Sequence, residues 1–416
     1  MNKYNFDEIV NRKNQASYKW DIKDNELPMW VADMDFHVLP EIKRAIDERN
    51  KVDAYGYTKC PDEYFQSYAK WWNNHHHTNV RPEDLVFSTG VVASIDSIFR
   101  HLLPKGSSVV TFVPVYHVFF HCIKNNGLNE LDSQLIYENG EYHVDFQQLE
   151  TLLKREDTSC LLLCNPHNPV GKIFSLNELQ QIIDLCHKYN VLIVSDEIHC
   201  DITDPSEEYN SILLLDDSAI ALWSVTKAFN LAGLHASVVV CKKKDILKQI
   251  QEGLEQDDIG EPNYFAPYAA IAALEHGWEW NKQMREYVFN NKRYIQEYLK
   301  DNLPELHLVD NKATYLLWLD VSKYTNDSEA FAKDLREKTG LFVSPGKQFG
   351  KGGETFLRIN VATSLANVKD ACQRLSNYIN GLHHDTLLRL RGCVEDLNPN
   401  QSYKDIIGEE IIKKTT

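Results

Sequence analysis

The stretch from Ser159 to Asp196 constrains the fold of this chain more than any other part of it. Cys160-Leu161-Leu162-Leu163-Cys164 is a short unbroken apolar run stopped by Asn165-Pro166, the pattern of a strand covered on both faces. Ser175-Leu176-Asn177-Glu178 then has the spacing of a capping box, and Leu179, Ile182, Ile183 and Cys186 follow at helical intervals. A second apolar run, Val191 to Val194, closes the unit. A strand, helix, strand crossover makes its two strands parallel and puts their C-terminal ends on one edge of the sheet.

Val109 to Val113, Ala219 to Trp223 and Ser237 to Cys241 read as further buried strands, and Leu85 to Ser88 leads into a helix over Val91 to Leu103. The fold class predicted is α/β, a mostly parallel sheet sandwiched by helices. In such sheets ligands bind beyond the C-terminal strand ends. The polar clusters Asn165 to Asn168, Asp196 to His199 and Ser224 to Lys227 each stand at a strand end, so three loops are expected to meet at one crevice. Beyond about residue 285 the pattern changes to a long helix, Tyr287 to Leu299, and then to the strands Thr314 to Asp320 and Phe356 to Asn360. A smaller α+β domain is expected there. The predicted division is a large domain over 46–285, a small domain from 1–45 and 286–382, and a C-terminal extension over 383–416. Within the extension Thr386 to Arg391 reads as helix and Asn398-Pro399-Asn400 as a turn.

At 416 residues, 43% hydrophobic and 25% charged, the chain can bury a large core without staples and is neither disordered nor fibrous. Lysine and arginine total 44 against 60 aspartate and glutamate, a net charge of −16, which repels phosphate backbones and anionic lipid. No nucleic-acid partner and no membrane are expected. Nine cysteines, an odd number with no Cys-x-x-Cys pair, argue against a disulfide framework or a zinc site and for a reducing cytoplasm. The N-terminus lacks the apolar core of a signal peptide, and no apolar run approaches the ~20 residues that span a bilayer. His75-His76-His77 reads as a solvated helix end rather than a metal site, because adjacent histidines cannot all face one ion. The acidic stretch Glu252 to Glu261 reads as a solvated loop or helix end.

The chain has no G-x-G-x-x-G after a strand, no P-loop, no G-x-S-x-G and no H-E-x-x-H, so dinucleotide, nucleotide, serine-hydrolase and zincin chemistries lack their usual supports. Ser224-Val225-Thr226-Lys227 is different. A lysine at the end of a buried strand can lose its proton easily and act as a nucleophilic amine toward a carbonyl cofactor. In Val194-Ser195-Asp196-Glu197 a carboxylate ends another apolar strand, where it can keep a pyridinium nitrogen protonated. Alone, the lysine would be one reaching for solvent and the carboxylate half of a structural ion pair.

Asn165-Pro166-His167-Asn168-Pro169-Val170-Gly171, Ser195-Asp196-Glu197-Ile198-His199 and Ser224-Val225-Thr226-Lys227 resemble, in order and spacing, the signatures of fold-type I pyridoxal phosphate enzymes of the class I/II aminotransferase superfamily. Val31-Ala32-Asp33-Met34-Asp35-Phe36, Tyr55-Gly56-Tyr57 and Asn230-Leu231-Ala232-Gly233-Leu234 are similar to the cystathionine β-lyase branch often called MalY/PatB. The resemblance runs from about Phe6 to Leu382. It implies pyridoxal 5'-phosphate as cofactor and Lys227 as its Schiff-base partner and the base at the substrate Cα. It implies Asp196 on the pyridinium, Asn168 on the ring oxygen, and Tyr116 on the ring face. The cofactor phosphate would fall to the amides of Gly90, Val91 and Val92, to Ser224 and Thr226, and to Tyr57 of a second subunit, which makes the active form a homodimer. Arg358 would clamp the carboxylate of a small amino-acid substrate, with Ala32 beside it, and Asn168–Pro169 would be a cis peptide. Two positions depart from the aminotransferase pattern: His235 follows Leu234 where an arginine is common, and His199 stands where a tyrosine is common. The first favours the lyase branch. The expected function is cleavage of L-cystathionine or another cysteine S-conjugate to a thiol, pyruvate and ammonia. The alternatives are an aminotransferase and a cofactor-binding protein with a regulatory partner.

Overall fold

The computed structural model describes the backbone of residues 3–395 and the side chains through residue 384. Seven strands form one sheet in the order β1, β7, β6, β5, β4, β2, β3. These are β1 (Leu85–Ser88), β2 (Ser108–Val113), β3 (Asn129–Gln134), β4 (Thr158–Cys164), β5 (Leu192–Asp196), β6 (Ile220–Trp223) and β7 (Ser237–Val240). The five strands from β6 to β3 run parallel, and β7 is antiparallel to both of its neighbours. The sequence pattern could not show that reversal, because a buried strand looks alike in either direction. The connection from β6 holds no α-helix, only a short 3-10 turn at Ala232–Leu234, whereas a parallel return is usually made through a crossover helix.

Register sets the site. Cys164 lies opposite Asp196 and Asp196 opposite Leu222, so β4, β5 and β6 finish level and release their loops on one edge. Between β4 and β5 the expected crossover helix runs Leu176–Lys188 with Leu179, Ile182, Ile183 and Cys186 buried. Its capping box is formed: the Ser175 hydroxyl accepts from Glu178 N at 3.2 Å and the Glu178 carboxylate from Ser175 N at 2.9 Å. A second helix, α1 (Val91–Leu102), begins directly after β1 and buries Val91, Ile95, Ile98 and Phe99 against the opposite sheet face.

The late helix is longer than its strongest periodicity suggests, spanning Trp278–Asn302. Its first turns mix aromatic and polar residues, yet Trp280 and Met284 still bury one face. Next come four antiparallel strands, among them Leu316–Asp320 and Phe356–Asn360, which pair from Leu316 with Asn360 to Asp320 with Phe356. The last helix runs Leu365–Glu395 and takes in the backbone of Thr386 to Arg391; the Asn398 to Asn400 turn lies outside the described residues. No helix of the described residues is long and apolar enough to cross a membrane, and the eight described cysteines are free.

One expectation is corrected. His75-His76-His77 is not a solvated helix end. His75 stacks on Trp278 with centroids 3.7 Å apart, and buried His76 places Nε2 2.7 Å from Asp201 Oδ1, which also accepts from Trp71 Nε1 at 2.9 Å. Only His77 faces solvent. The carboxylate arrives from the loop after β5, about 125 residues away in sequence, so no local pattern could announce it.

The N-terminal segment is a strap that crosses the open edge of the sheet. Buried Asp35 gathers Lys19 Nζ at 3.0 Å, Arg12 at 2.6 Å and Trp20 Nε1 at 2.8 Å. Burial pushes its carboxyl up, and Lys19, Trp20 and Arg12 together bring it below its ordinary value. Asn360 Nδ2 donates to the Val31 and Asp33 carbonyls at 2.6 Å each. The strap is thereby fixed to the second sheet as well.

Candidate active site

A cavity of about 830 Å³ opens beyond the ends of β4, β5 and β6, bounded by the start of α1, the strap and the second sheet. It is lined by Gly90, Val91, Val92, Tyr116, Asn168, Asp196, Lys227, Arg358 and Ala32. Three loops, one helix start and two distant segments therefore converge as the sequence predicted. A groove of about 930 Å³ lies at the opposite sheet edge, where Arg155 pairs with Asp157 at 3.0 Å and His187 Nε2 lies 2.9 Å from Asp216.

Lys227 turns Nζ inward, donating to the Ala32 carbonyl at 2.6 Å. The Tyr315 hydroxyl donates to the same oxygen at 3.0 Å. Burial lowers the Lys227 ammonium to about 8, with Asp33 opposing, Arg358 reinforcing and Asp196 opposing. A free amine is thus within reach near neutral pH. Asp196 is buried at the end of β5, and among the described residues it accepts one hydrogen bond, from Ile198 N at 3.1 Å. Burial raises its carboxyl to about 7; the Ile198 amide opposes, Glu197 adds to the rise and Lys227 opposes. Neighbouring Glu197 is the contrast. It is saturated by Ser195, Ser211, Trp223 Nε1 and Ile212 N at 2.7–3.0 Å, so it fixes the loop while Asp196 keeps capacity for another donor.

Arg358, 4% exposed, sends Nη1 to Asn168 Oδ1 at 3.2 Å and Nη2 to the Trp30 carbonyl at 3.0 Å. Among the described residues its Nε has no partner, and the guanidinium lies over Phe349 at 4.7 Å. Burial lowers it to about 10, with Tyr116 and Tyr315 opposing. A buried cation without a carboxylate partner is a costly arrangement unless an anion joins it. At the other end, Gly90 caps α1 in extended backbone with no side-chain cap, so the first-turn amides remain free to receive an anion. A Cβ built on Gly90 would meet nothing within 4 Å.

Not every expected residue reaches the cavity. Ser224 is buried behind its wall, donating to the Ala236 carbonyl at 2.7 Å, with its oxygen 2.7 Å from Thr226 Oγ1. Tyr57 is fully exposed and lines no part of its own chain's cavity. Asn168–Pro169 is cis, as are Asn165–Pro166 and Val113–Pro114.

The reading of the sequence missed Tyr18, Trp30 and His117, which also line the cavity. His117 adjoins Tyr116 after β2, so the position beyond a strand end was available as a signal; Tyr18 and Trp30 stand before the first strand of the large sheet and carried none. Two of the three histidines that line the cavity are held against protonation. His117 is pushed down to about 4 by burial, then Arg358 and His121, and His199 is lowered by burial, then Lys227, Arg358 and Lys292. Each has an unpartnered Nδ1. His235 lines the rim in a left-handed conformation, φ 51°.

An anion site at a helix start, a carboxylate at a strand end, a softened lysine and a lone buried arginine are a donor set that suits a phosphorylated pyridine aldehyde together with an amino acid. Comparison with known proteins agrees. Cystathionine beta-lyase PatB of Bacillus subtilis is 33% identical over 382 residues, covering 89% of this chain and 98% of that protein. Cystalysin of Treponema denticola, whose crystal structure contains pyridoxal 5'-phosphate, superposes with a TM-score of 0.88 at 29% identity, covering 91% of this chain and 99% of that one. The pyridoxal-phosphate-bound C-S lyase of Staphylococcus hominis gives 0.85 at 29% identity, covering 90% and 98%. Residues 27–375 match the family described as aminotransferase class I and II, and this chain belongs to that family.

Proposed function

We propose that this chain is a pyridoxal-phosphate-dependent carbon-sulfur β-lyase. It would split L-cystathionine or another S-substituted L-cysteine, with one water, into a thiol, pyruvate and ammonia. The observation that carries the reading is Asp196 at the end of β5 and Lys227 in the loop just beyond β6, in one cavity with an arginine that has no carboxylate partner among the described residues. The lyase names of relatives that align over nearly the whole chain support it.

When bound, the cofactor supplies an electrophilic carbonyl and a ring that accepts the electron pair left at the substrate Cα. The chain's residues do the rest. Arg358 fixes the substrate carboxylate, and the Ala32 carbonyl holds Lys227 Nζ in place. Lys227 takes the Cα proton as general base, for which an amine titrating near 8 is suited. Asp196 would hold the ring nitrogen in its protonated form, and that cation would keep the Asp196 carboxylate ionised in return. Asn168 would donate to the ring oxygen and Tyr116 cover the ring face. Gly90, Val91 and Val92 would receive the phosphate on backbone amides, with Ser224 and Thr226 behind them. As the electron pair at Cα closes a Cα–Cβ double bond, the Cβ–S pair goes to sulfur; the thiolate leaves as the thiol with the proton that Lys227 took, and water hydrolyses the remaining enamine to pyruvate and ammonia.

We further infer a homodimer. Val52, Tyr55 and Tyr57 form an exposed run of large apolar side chains, Tyr57 wholly so, and such a run calls for a cover. A second copy would gain Tyr57 at its phosphate. Among the described residues the seven-stranded sheet falls within 46–285, and the four-stranded one within 286–382, which supports the two-domain division. The free cysteines fit a reducing cytoplasm.

The test is to supply purified holoenzyme with L-cystathionine, measuring pyruvate and keto-acid-dependent amino transfer side by side. Pyruvate release is expected. Efficient transfer without pyruvate would establish the aminotransferase instead, and a bound cofactor with neither activity would favour the regulatory reading.

A further inference from the structure

The part of the cavity wall formed by the strap is aromatic. Trp30 adjoins Arg358 through its carbonyl, and its ring stacks on Phe342 with centroids 4.5 Å apart and planes 15° from parallel. Tyr18 packs against it at 5.2 Å. Tyr18 and Trp30 both line the cavity, and Tyr18 is 76% exposed. A large ring left so open at a cavity mouth is available to a ligand. Arg336, which lies over Phe342, is held by both oxygens of Glu26 at 2.8 and 2.9 Å.

The charged side chains lining the cavity, histidines aside and among the described residues, are Asp96, Asp196, Lys227 and Arg358. Asp96 lies on α1 and accepts from Asn126 at 2.7 Å, and Asp196 and Lys227 stand together at the strand ends. Among the charged side chains other than histidine, Arg358 alone is left for a carboxylate, so the cavity offers one permanent cation to one amino-acid head. A thioether whose far arm ends in a second ammonium and carboxylate would lay them against Trp30 and Tyr18, with Ser344 and Gln348 as the uncharged polar neighbours. Such charges gain no ion pair from the rings, whereas an alkyl or aryl arm gains from burial on them.

The wall is also preformed. Trp30 Nε1 donates to the Lys19 carbonyl at 3.2 Å, the Trp30 carbonyl accepts from Ser344 Oγ at 3.1 Å, and Lys19 is anchored on Asp35. Little ordering is left for a ligand to impose.

We propose that Tyr18 and Trp30 form the subsite for the sulfur substituent and select cysteine conjugates with an uncharged apolar arm over those ending in a second amino-acid head. The inference rests on the lyase reading. It is tested on the holoenzyme by pyruvate release from S-benzyl-L-cysteine, S-methyl-L-cysteine and L-cystathionine. S-benzyl-L-cysteine should exceed L-cystathionine in kcat/KM by about tenfold or more. Tyr18→Ala and Trp30→Ala should each lower the S-benzyl to S-methyl ratio of kcat/KM by about tenfold, and Tyr18→Phe should preserve it. A purely structural defect would lower both substrates together and leave the ratio fixed. Equal or faster cleavage of L-cystathionine, or a ratio that neither alanine variant moves, would overturn the subsite. No pyruvate from any of the three would overturn the lyase reading and the subsite with it.

Discussion

At the scale of single residues, the site works by placing charges where water cannot screen them. Lys227 is the clearest case: burial takes its ammonium to about 8, although two carboxylates oppose the shift. Only the free amine attacks a carbonyl. The rate at which pyridoxal phosphate joins the cofactor-free protein should therefore rise with pH and level off around a midpoint near 8. A rate still climbing toward pH 10 in rapid-mixing absorbance measurements would show an ordinary lysine. Arg358 makes the complementary prediction. Its Nη1 and Nη2 reach Asn168 and Trp30 from one planar fork, which a lysine cannot reproduce. Arg358→Lys should raise KM for the amino-acid substrate about 10- to 100-fold while the cofactor still binds. Steady-state kinetics at matched cofactor content would check both parts.

At the scale of elements, the legible part of the fold was the part encoded locally. The Ser175 capping box, the unbroken Cys160 to Cys164 run and the Val191 to Val194 and Ala219 to Trp223 runs each announced an element, and together they placed Asn168, Asp196 and Lys227 on one edge. The antiparallel β7, the burial of His76 on Asp201 and the aromatic wall at Tyr18 and Trp30 were not legible. Each depends on a partner far along the chain, and periodicity carries no information about such partners. Ser224 and Thr226 show the same limit, for the resemblance gives their place in the motif but not the hydrogen bonds that turn Ser224 to the Ala236 carbonyl and Thr226 to Ser224. The strap is the element whose stability is most exposed to a single change. Asp35→Asn removes the charge that Lys19, Arg12 and Trp20 share and should cost about 3 to 5 kcal/mol in urea unfolding. Because the Asp35 carboxyl is held below its ordinary value, its stabilisation is present above pH about 4 and is lost as pH falls through the folded value. The variant's deficit should accordingly shrink in acid. A deficit independent of pH would mean that packing, not charge, holds the strap.

At the scale of the whole molecule, the cavity is built from parts that no single stretch contains: the large sheet supplies Asp196 and Lys227, the second sheet Arg358, and the strap Ala32. The exposed Tyr57 extends that logic to a second chain. Lys227→Ala and Tyr57→Ala should each be nearly inactive alone. Mixed under conditions that exchange subunits, they should recover about a quarter of wild-type pyruvate release, since half of the dimers are hybrids with one intact site of two. No recovery after confirmed exchange would place Tyr57 outside the neighbouring site. Underlying every one of these expectations is the identity of the amine that holds the cofactor. Borohydride reduction of the holoenzyme, followed by peptide mapping, tests it most directly: the account predicts pyridoxyl label on the peptide carrying Ser224-Val225-Thr226-Lys227, whereas label on another lysine, or unlabelled protein with cofactor bound, would contradict it.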